Sequence, residues 1–401
     1  MKDEKDRRGI AVLKGMFVSY FLLLVGILSC MLFSDCQPDR KWVSALAQHM
    51  PWKDSFVALN GAAYRLGGRR LCNKVLRDSQ GMLKRAQKDA LVADSARKVV
   101  AFREYLRKKG VKYVFVLMPW KSALDGGEEL PPSLRDNSNR MADAFMGELA
   151  RAGLPRLDFR KRIAADKTLL ERYFYRTDHH WNYDGAFTAF SDMARYVCEW
   201  FNVDNQVAAK VRSMSVPSGW HRIAFPNSFL GSYGKRTGRY FGGRDDLIVY
   251  LPKFKTHISM EIPSCGVQAE GSFRSAVMRR FDEVQRSRKD DVLDQNSLCY
   301  IGGTYPLARL GTPGSPLPLR VFMIGDSFCR PIAAFFSTIV SQIEFVDPRR
   351  LDDGLTVVEH IEKFKPDLVL QVQCPPSMVV DRLDGPPVHK RVMFEYGITQ
   401  Q

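Results

Sequence analysis

Closely spaced cysteine pairs are missing from this sequence. Its eight cysteines (Cys30, Cys36, Cys72, Cys198, Cys265, Cys299, Cys329 and Cys374) include no C-x-x-C pair, which argues against a structural zinc site built from closely spaced thiolates. Zinc-finger spacing, a helix-turn-helix signal and an aromatic-glycine RNA-binding motif are missing too. The net charge of +16, from 60 Lys and Arg against 44 Asp and Glu, therefore stands without any nucleic-acid module beside it, and no nucleic-acid partner is expected. Such a charge also suits anionic lipid head groups or an acidic polymer. No small-x-small cleavage site follows the one long apolar run near the N-terminus, which favours a retained anchor over a removed signal peptide.

That run, residues 16–33 (MFVSYFLLLVGILSCMLF), carries no charge and is long enough to cross a bilayer core. Lys2, Lys5, Arg7, Arg8 and Lys14 precede it, and Asp35 and Asp39 follow. The asymmetry places the N-terminus in the cytoplasm and the rest of the chain outside it. Ile27-Leu28-Ser29-Cys30 loosely resembles a lipoprotein box, but the apolar Met31-Leu32-Phe33 directly after it argues against lipidation. All three readings put the soluble part in an extracytoplasmic compartment, periplasmic behind a cytoplasmic membrane. There, some cysteines could form disulfides or stay as buried thiols.

An apolar share of 45% leaves ample material for a core in 401 residues. The expected organisation is a tail and transmembrane anchor over 1–38, a basic lead-in over 39–94 and an α/β domain over 95–401. In the lead-in, a helix over 55–66 ends at Gly67-Gly68. The domain alternates. Helices are expected over 95–109, 137–152, 160–171, 186–200, 330–342 and 354–363. Short apolar strands are expected over 112–118, 155–159, 320–324, 343–346 and 368–372. This alternation predicts a layered α/β fold with a parallel sheet. The stretch 206–318 differs, with Gly, Ser, Pro and short β-like runs over 246–250 and 257–260. It reads as a β- and loop-rich insertion.

Two motifs carry chemistry. Asp178 and His180 stand two residues apart in Arg176-Thr177-Asp178-His179-His180-Trp181-Asn182. On an extended segment that spacing puts both side chains on one side, with His179 facing away, so that Asp178 reaches Nδ1 of His180. Trp181 is either a core aromatic or a substrate contact. A metal here would need a third ligand; His221 or His257 could be recruited, but no spacing supports either, and no metal or other cofactor is expected. The second motif is Gly325-Asp326-Ser327, between an apolar strand and an amphipathic helix. Ser327 there serves either as a nucleophile at the top of the sheet or as a helix N-cap. As nucleophile, its own N–H at the helix start would help stabilise an oxyanion.

The Arg176–Trp181 block resembles the signature of the bacterial DHHW proteins, relatives of the AlgX/AlgJ alginate O-acetyltransferases. Further blocks agree in order: residues 51–83 (with Phe56, Asn60, Asn73, Gly81 and Leu83), 114–119, 301–306 with Tyr305, and 324–328 with Gly325. The resemblance implies an SGNH-hydrolase-like three-layer sandwich. Its Asp-His block precedes the serine, the reverse of ordinary SGNH esterases and the order of permuted acetyltransferase relatives. It further implies a Ser327–His180–Asp178 triad. Trp181, Tyr305, Gly325 and Arg349 become lesser candidates for substrate or oxyanion contacts, Arg349 because an arginine downstream of the serine lines the relatives' site. No SGNH oxyanion glycine or asparagine can be placed.

The expected function is extracytoplasmic O-acetylation of an exopolysaccharide or cell-envelope glycan. Its acetyl donor would be a membrane-bound O-acyltransferase, as the resemblance implies. A carbohydrate esterase with the same triad, or a non-catalytic component of an export complex, are the alternatives.

Overall fold

The computed structural model describes residues 53–87, 90–121, 136–165, 168–279, 281, 300–301, 305–351, 353–378 and 394–398. The apolar run over 16–33, with Cys30 and Cys36, lies outside the described residues, as do Cys299 and positions 302–304. Among the described residues no helix is long and apolar enough to cross a membrane. Two compact units divide the chain, Met1–Phe56 and Val57–Gln401. The candidate site belongs entirely to the second.

Helix α1 (Lys53–Leu66) leads into a small antiparallel sheet of β1 (Leu71–Cys72), β2 (Val75–Arg77) and β3 (Leu83–Lys84). The α/β alternation then begins with α2 (Ala93–Lys108), β4 (Lys112–Leu117), α3 (Ser138–Arg151) and β5 (Arg156–Asp158). The single helix expected over 160–171 is two short ones, Arg160–Ala165 and Leu169–Tyr173. Helix α4 (Tyr183–Trp200) follows, started by Asn182, whose side chain accepts from the Gly185 N–H.

Beyond α4 come β6 (Trp220–Phe229), helix α5 (Ser232–Thr237), β7 (Asp245–Pro252), β8 (Ile258–Ile262), β9 (Val267–Gly271) and β10 (Leu307–Gly311). β6 and β7 pair as a separate ribbon, whereas β8, β9 and β10 join the central sheet. The last elements are β11 (Leu317–Gly325), α6 (Cys329–Phe336), β12 (Val340–Val346), α7 (Val357–Phe364) and β13 (Leu368–Gln373).

The central sheet has eight strands in the order β5-β4-β13-β11-β12-β10-β8-β9. Its first five run parallel, and β10, β8 and β9 extend it antiparallel. Side chains alternate across it as the strand period requires. Val114, Val116, Val321, Met323, Leu368 and Leu370 face a core shared with α4 and α6. Tyr113, Phe115, Leu117, Phe322, Ile324 and Val369 face a second core under α2, α3 and α7. Helices on both faces of a largely parallel sheet make three layers.

The helix expected over 330–342 stops at Phe336. Ser337 and Thr338 turn their hydroxyls onto the carbonyls of Ala334 and Phe335, and the β-branched Ile339-Val340 that follows favours strand. Helix α7 starts late, at a capping box between Thr356 and Glu359.

The central strands β11 and β13 pair through Gly325, which sits opposite Val372. A Cβ on Gly325 would lie 2.3 Å from the Cβ of Cys329 and 2.8 Å from the Val372 carbonyl oxygen. Gly325 is therefore the residue that lets α6 leave the sheet so tightly after Ser327, a packing role. Substituting Gly325→Ala should destabilise the fold by about 1–3 kcal/mol through overpacking. Urea unfolding checks this; an unchanged midpoint would mean that α6 can shift freely.

Candidate active site

At the C-terminal edge of the parallel strands, the end where open α/β sheets place their sites, the structure brings together Ser327, His180 and Asp178. His180 Nε2 lies 2.5 Å from Ser327 Oγ, and His180 Nδ1 lies 2.6 Å from Asp178 Oδ1. A carboxylate only accepts hydrogen bonds, so Nδ1 carries the proton and donates. In the neutral ring, Nε2 is then the acceptor for the Ser327 hydroxyl. Ser327 is not an N-cap: α6 begins two residues later and has no side-chain cap at its start. The turn is instead closed by Asp326, which accepts from the Phe328 N–H at 2.9 Å. The other oxygen of Asp326 accepts from the Cys374 N–H at 3.0 Å and the Ser377 hydroxyl at 2.7 Å, fastening the top of β11 to that of β13.

The Asp-His block is not an extended segment. An antiparallel bridge between Phe174 and Trp181 closes it into a compact loop. In that loop Asp178 accepts from the His180 backbone N–H as well as from its ring. His179 does not face away as expected. It packs tilted against His180 with centroids 3.7 Å apart, and its Nδ1 lies 2.8 Å from Ser232 Oγ and 3.3 Å from Asp178 Oδ1. Once the loop bends, both imidazoles fall on the side of the one buried carboxylate.

Asp178 is buried. Burial alone would raise its carboxyl, but the adjacent His179 and His180 rings and the N–H of Ser232, 2.5 Å from Oδ2, hold it well below the usual carboxylate range. Ser232 opens α5, which belongs to the β-rich stretch. The residue before it, Gly231, comes so close that a Cβ there would stand 2.3 Å from the Cβ of Asp178. Asp245, at the start of β7, accepts from the N–H groups of Arg176 and Thr177. Beneath the loop, Lys121 donates to the carbonyls of Tyr175, Arg176 and Asp178. Leu83 of β3 adds one more bond, its N–H to the Arg176 carbonyl at 2.9 Å.

Phe328, next to the serine, is buried among the rings of Trp120, His180 and Trp181, at 5.9, 5.3 and 5.5 Å. Trp181 is thus a core aromatic and props the triad rather than facing solvent. Tyr305 is partly buried against the larger core. Arg349 is bidentate to the fully buried Asp347, at 2.8 Å from each oxygen. Burial acts to lower its pKa, and the Asp347 carboxylate outweighs it and raises it. Its guanidinium is engaged by Asp347 rather than by a triad member. Asp178, His179 and His180 offer three ligand atoms within 4.8 Å, a grouping that includes neither His221 nor His257. A metal ion there would have to displace the hydrogen bonds that orient His180.

Gly231, Ser232 and Asp245 carry no signal in the sequence as site residues. Lys121 does, standing after Pro119-Trp120 at the C-terminal end of β4, where α/β sheets carry their sites, and Phe328 closes the block that holds Ser327, though neither is assigned a role from the sequence.

With this geometry in place, the chain can be set beside known proteins. Residues 76–218 match the SGNH hydrolase-like domain of the acetyltransferase AlgX. The matched AlgX-like stretch contains Asp178 and His180 and ends before Ser327. The fold is similar to that of Bacillus cereus PatB1, solved with a sulfonyl adduct, at a TM-score of 0.60 and 16% identity over 80% of this chain and 97% of that one. It is also similar to a DHHW family protein from Eubacterium siraeum, at a TM-score of 0.54 and 18% identity over 78% and 94% of the two chains. No curated protein matches by sequence. The likeness read from the Arg176–Trp181 block therefore holds both for the AlgX family match and for the fold.

His179 yields a prediction about acid stability. Burial, and then the neighbouring His180, lower its pKa to about 3, against the pull of Asp178. The unfolded chain binds this proton near the ordinary histidine pKa of about 6.5. Between those values the unfolded state holds more protons, so stability falls as pH drops from about 6.5 toward 3. Denaturant midpoints measured from pH 7 to pH 4 should fall less steeply in His179→Gln than in the parent. Equal slopes would assign the acid loss elsewhere.

Proposed function

We propose that this protein is a serine-dependent O-acyltransferase that acylates hydroxyl groups of an extracytoplasmic glycan. The observation that carries this reading is the continuous line of two short hydrogen bonds, Ser327 Oγ to His180 Nε2 at 2.5 Å and His180 Nδ1 to Asp178 at 2.6 Å.

Ser327 Oγ attacks the acyl carbonyl of the donor while His180 Nε2 takes the hydroxyl proton. The negative charge that develops on the carbonyl oxygen is met by the Ser327 N–H in the turn ahead of α6. His180 returns the proton to the leaving group, and the acyl group remains as an ester on Ser327. An acceptor hydroxyl then enters, His180 removes its proton, and attack on the ester frees Ser327 and yields the acylated glycan. Through both halves Asp178 keeps Nδ1 protonated and steadies the imidazolium. It suits this role because its carboxyl stays ionised far below neutral pH.

The AlgX-like stretch supports acyl transfer to a polysaccharide as the class of reaction. The charge of +16 suits an anionic polymer as acceptor. Residues 16–33 would hold the domain outside the cytoplasmic membrane, in the periplasm. Because acetyl-CoA is not available there, an acylated membrane O-acyltransferase is the fitting donor.

Full-length protein treated with a fluorophosphonate should gain one adduct on Ser327 and none in Ser327→Ala, and Ser327→Ala should abolish glycan acetylation in cells. Intact mass and sugar analysis read these outcomes; unchanged acetylation would refute the reading. Asp178→Asn should slow labelling by about 10²- to 10⁴-fold by disturbing the imidazole's tautomer. Acetyl ester release without acetylated oligosaccharide would favour the esterase alternative.

A further inference from the structure

Lys121 is 1% exposed, yet its ammonium makes no ion pair at contact distance among the described residues. Its Nζ points into the loop that carries the triad. It donates to the carbonyl oxygens of Tyr175 and Arg176 at 2.7 Å and of Asp178 at 2.8 Å. An ammonium has three protons, and here each has one carbonyl acceptor. The three acceptors fall within four consecutive residues, and the last is the backbone of the triad carboxylate itself.

The alternatives for filling this place are poor. An apolar side chain would leave the buried Tyr175 and Asp178 carbonyls without this donor and the Arg176 carbonyl with the Leu83 N–H alone. A neutral amine has only two protons and would turn its lone pair toward the third oxygen. Charge is therefore part of the fit. Groups facing Nζ come from several elements: Asp178 on the loop, Asp245 at the start of β7, Asp78 and Lys84 beside the small sheet, and the Tyr233 ring of α5 at 5.8 Å. Burial draws the ammonium down to about 7, against the pull of Asp245 and Asp178.

We propose that Lys121 is the positioning residue of the triad, its charged ammonium gathering the Tyr175–Asp178 carbonyls so that Asp178 is presented to His180 Nδ1. Lys121 touches neither Ser327 nor any reacting atom; it acts through Asp178. The inference rests on the triad reading above and adds to it a residue from the end of β4. It also gives the site a charge requirement that the Ser-His-Asp chemistry alone lacks.

The test is the rate of fluorophosphonate labelling of Ser327 in full-length protein, followed from pH 6 to pH 10. In the parent, the limiting labelling rate should decline above about pH 7 as Lys121 loses its proton. Lys121→Met should lower the limiting rate about 10- to 100-fold, the order expected for a reacting group misplaced by about an ångström. Its apparent probe affinity should stay within about twofold, and the alkaline decline should disappear. Combined with Asp178→Asn, it should add little further loss, because both changes act on one interaction. Should Lys121→Met not fold, Lys121→Arg and the parent's own pH profile decide the matter. A flat parent profile up to pH 10, or full multiplicative loss in the double variant, overturns the proposal. Labelling of the parent at Ser327 together with a Lys121→Met rate equal to the parent's defeats this inference alone. Absence of Ser327 labelling in the parent defeats the triad.

Discussion

One buried carboxylate organises this end of the molecule. Ionised Asp178 is expensive to take out of water unless its oxygens are filled with donors, and the chain fills them from two places. Oδ1 receives the backbone N–H and ring N–H of His180, and Oδ2 receives the N–H of Ser232. The last donor lies 54 residues further along, so the β-rich stretch must fold back over the Asp-His loop before Asp178 is satisfied. Gly231 makes that approach possible, since any side chain there would occupy the space of Asp178 itself. The carboxylate thus couples local geometry to long-range topology.

The topology in turn explains how a late serine meets an early histidine. β4 leads outward to β5, while β11 leads the other way to β12, and β13 returns to lie between β4 and β11. The ends of β4, β13 and β11 are therefore neighbours. From them come Lys121, the Cys374 N–H that donates to Asp326, and Ser327. The Asp-His block precedes the serine in sequence, yet the side chains reach one rim of the sheet. What matters physically is which strand ends are adjacent, not the order in which they are made.

Legibility followed range. The Asp178–His180 pair could be read because two residues of separation leave little geometric freedom, and the Gly325–Ser327 turn because an apolar strand and an amphipathic helix flank it. Even so, the local reading failed on His179, whose direction depends on the Phe174–Trp181 bridge that bends the loop. Gly231, Ser232 and Asp245 were not legible. They sit in a Gly- and Ser-rich stretch where nothing local distinguishes a capping glycine from any other. Arg349 was suggested as a ligand contact by its placement after the serine; the structure shows one edge of its guanidinium, Nε and one terminal nitrogen, bound to the fully buried Asp347, the pairing that a buried carboxylate requires.

In the proposed reaction, catalysis and stability share the same atoms. Phe328 packs beside the imidazole and Trp181 packs against Phe328, and their burial resists displacement of His180. The proposed reaction needs the hydroxyl of Ser327 to remain reachable, and Ser327 is only partly buried while its neighbours Asp326 and Phe328 are fully so. Among the described residues its side chain is bonded to His180 and is otherwise placed by its neighbours, the arrangement that the proposed role as nucleophile requires. Were Ser327 Oγ held by further partners, each would have to be broken as the acyl ester forms, adding to the barrier the energy that had steadied the ground state.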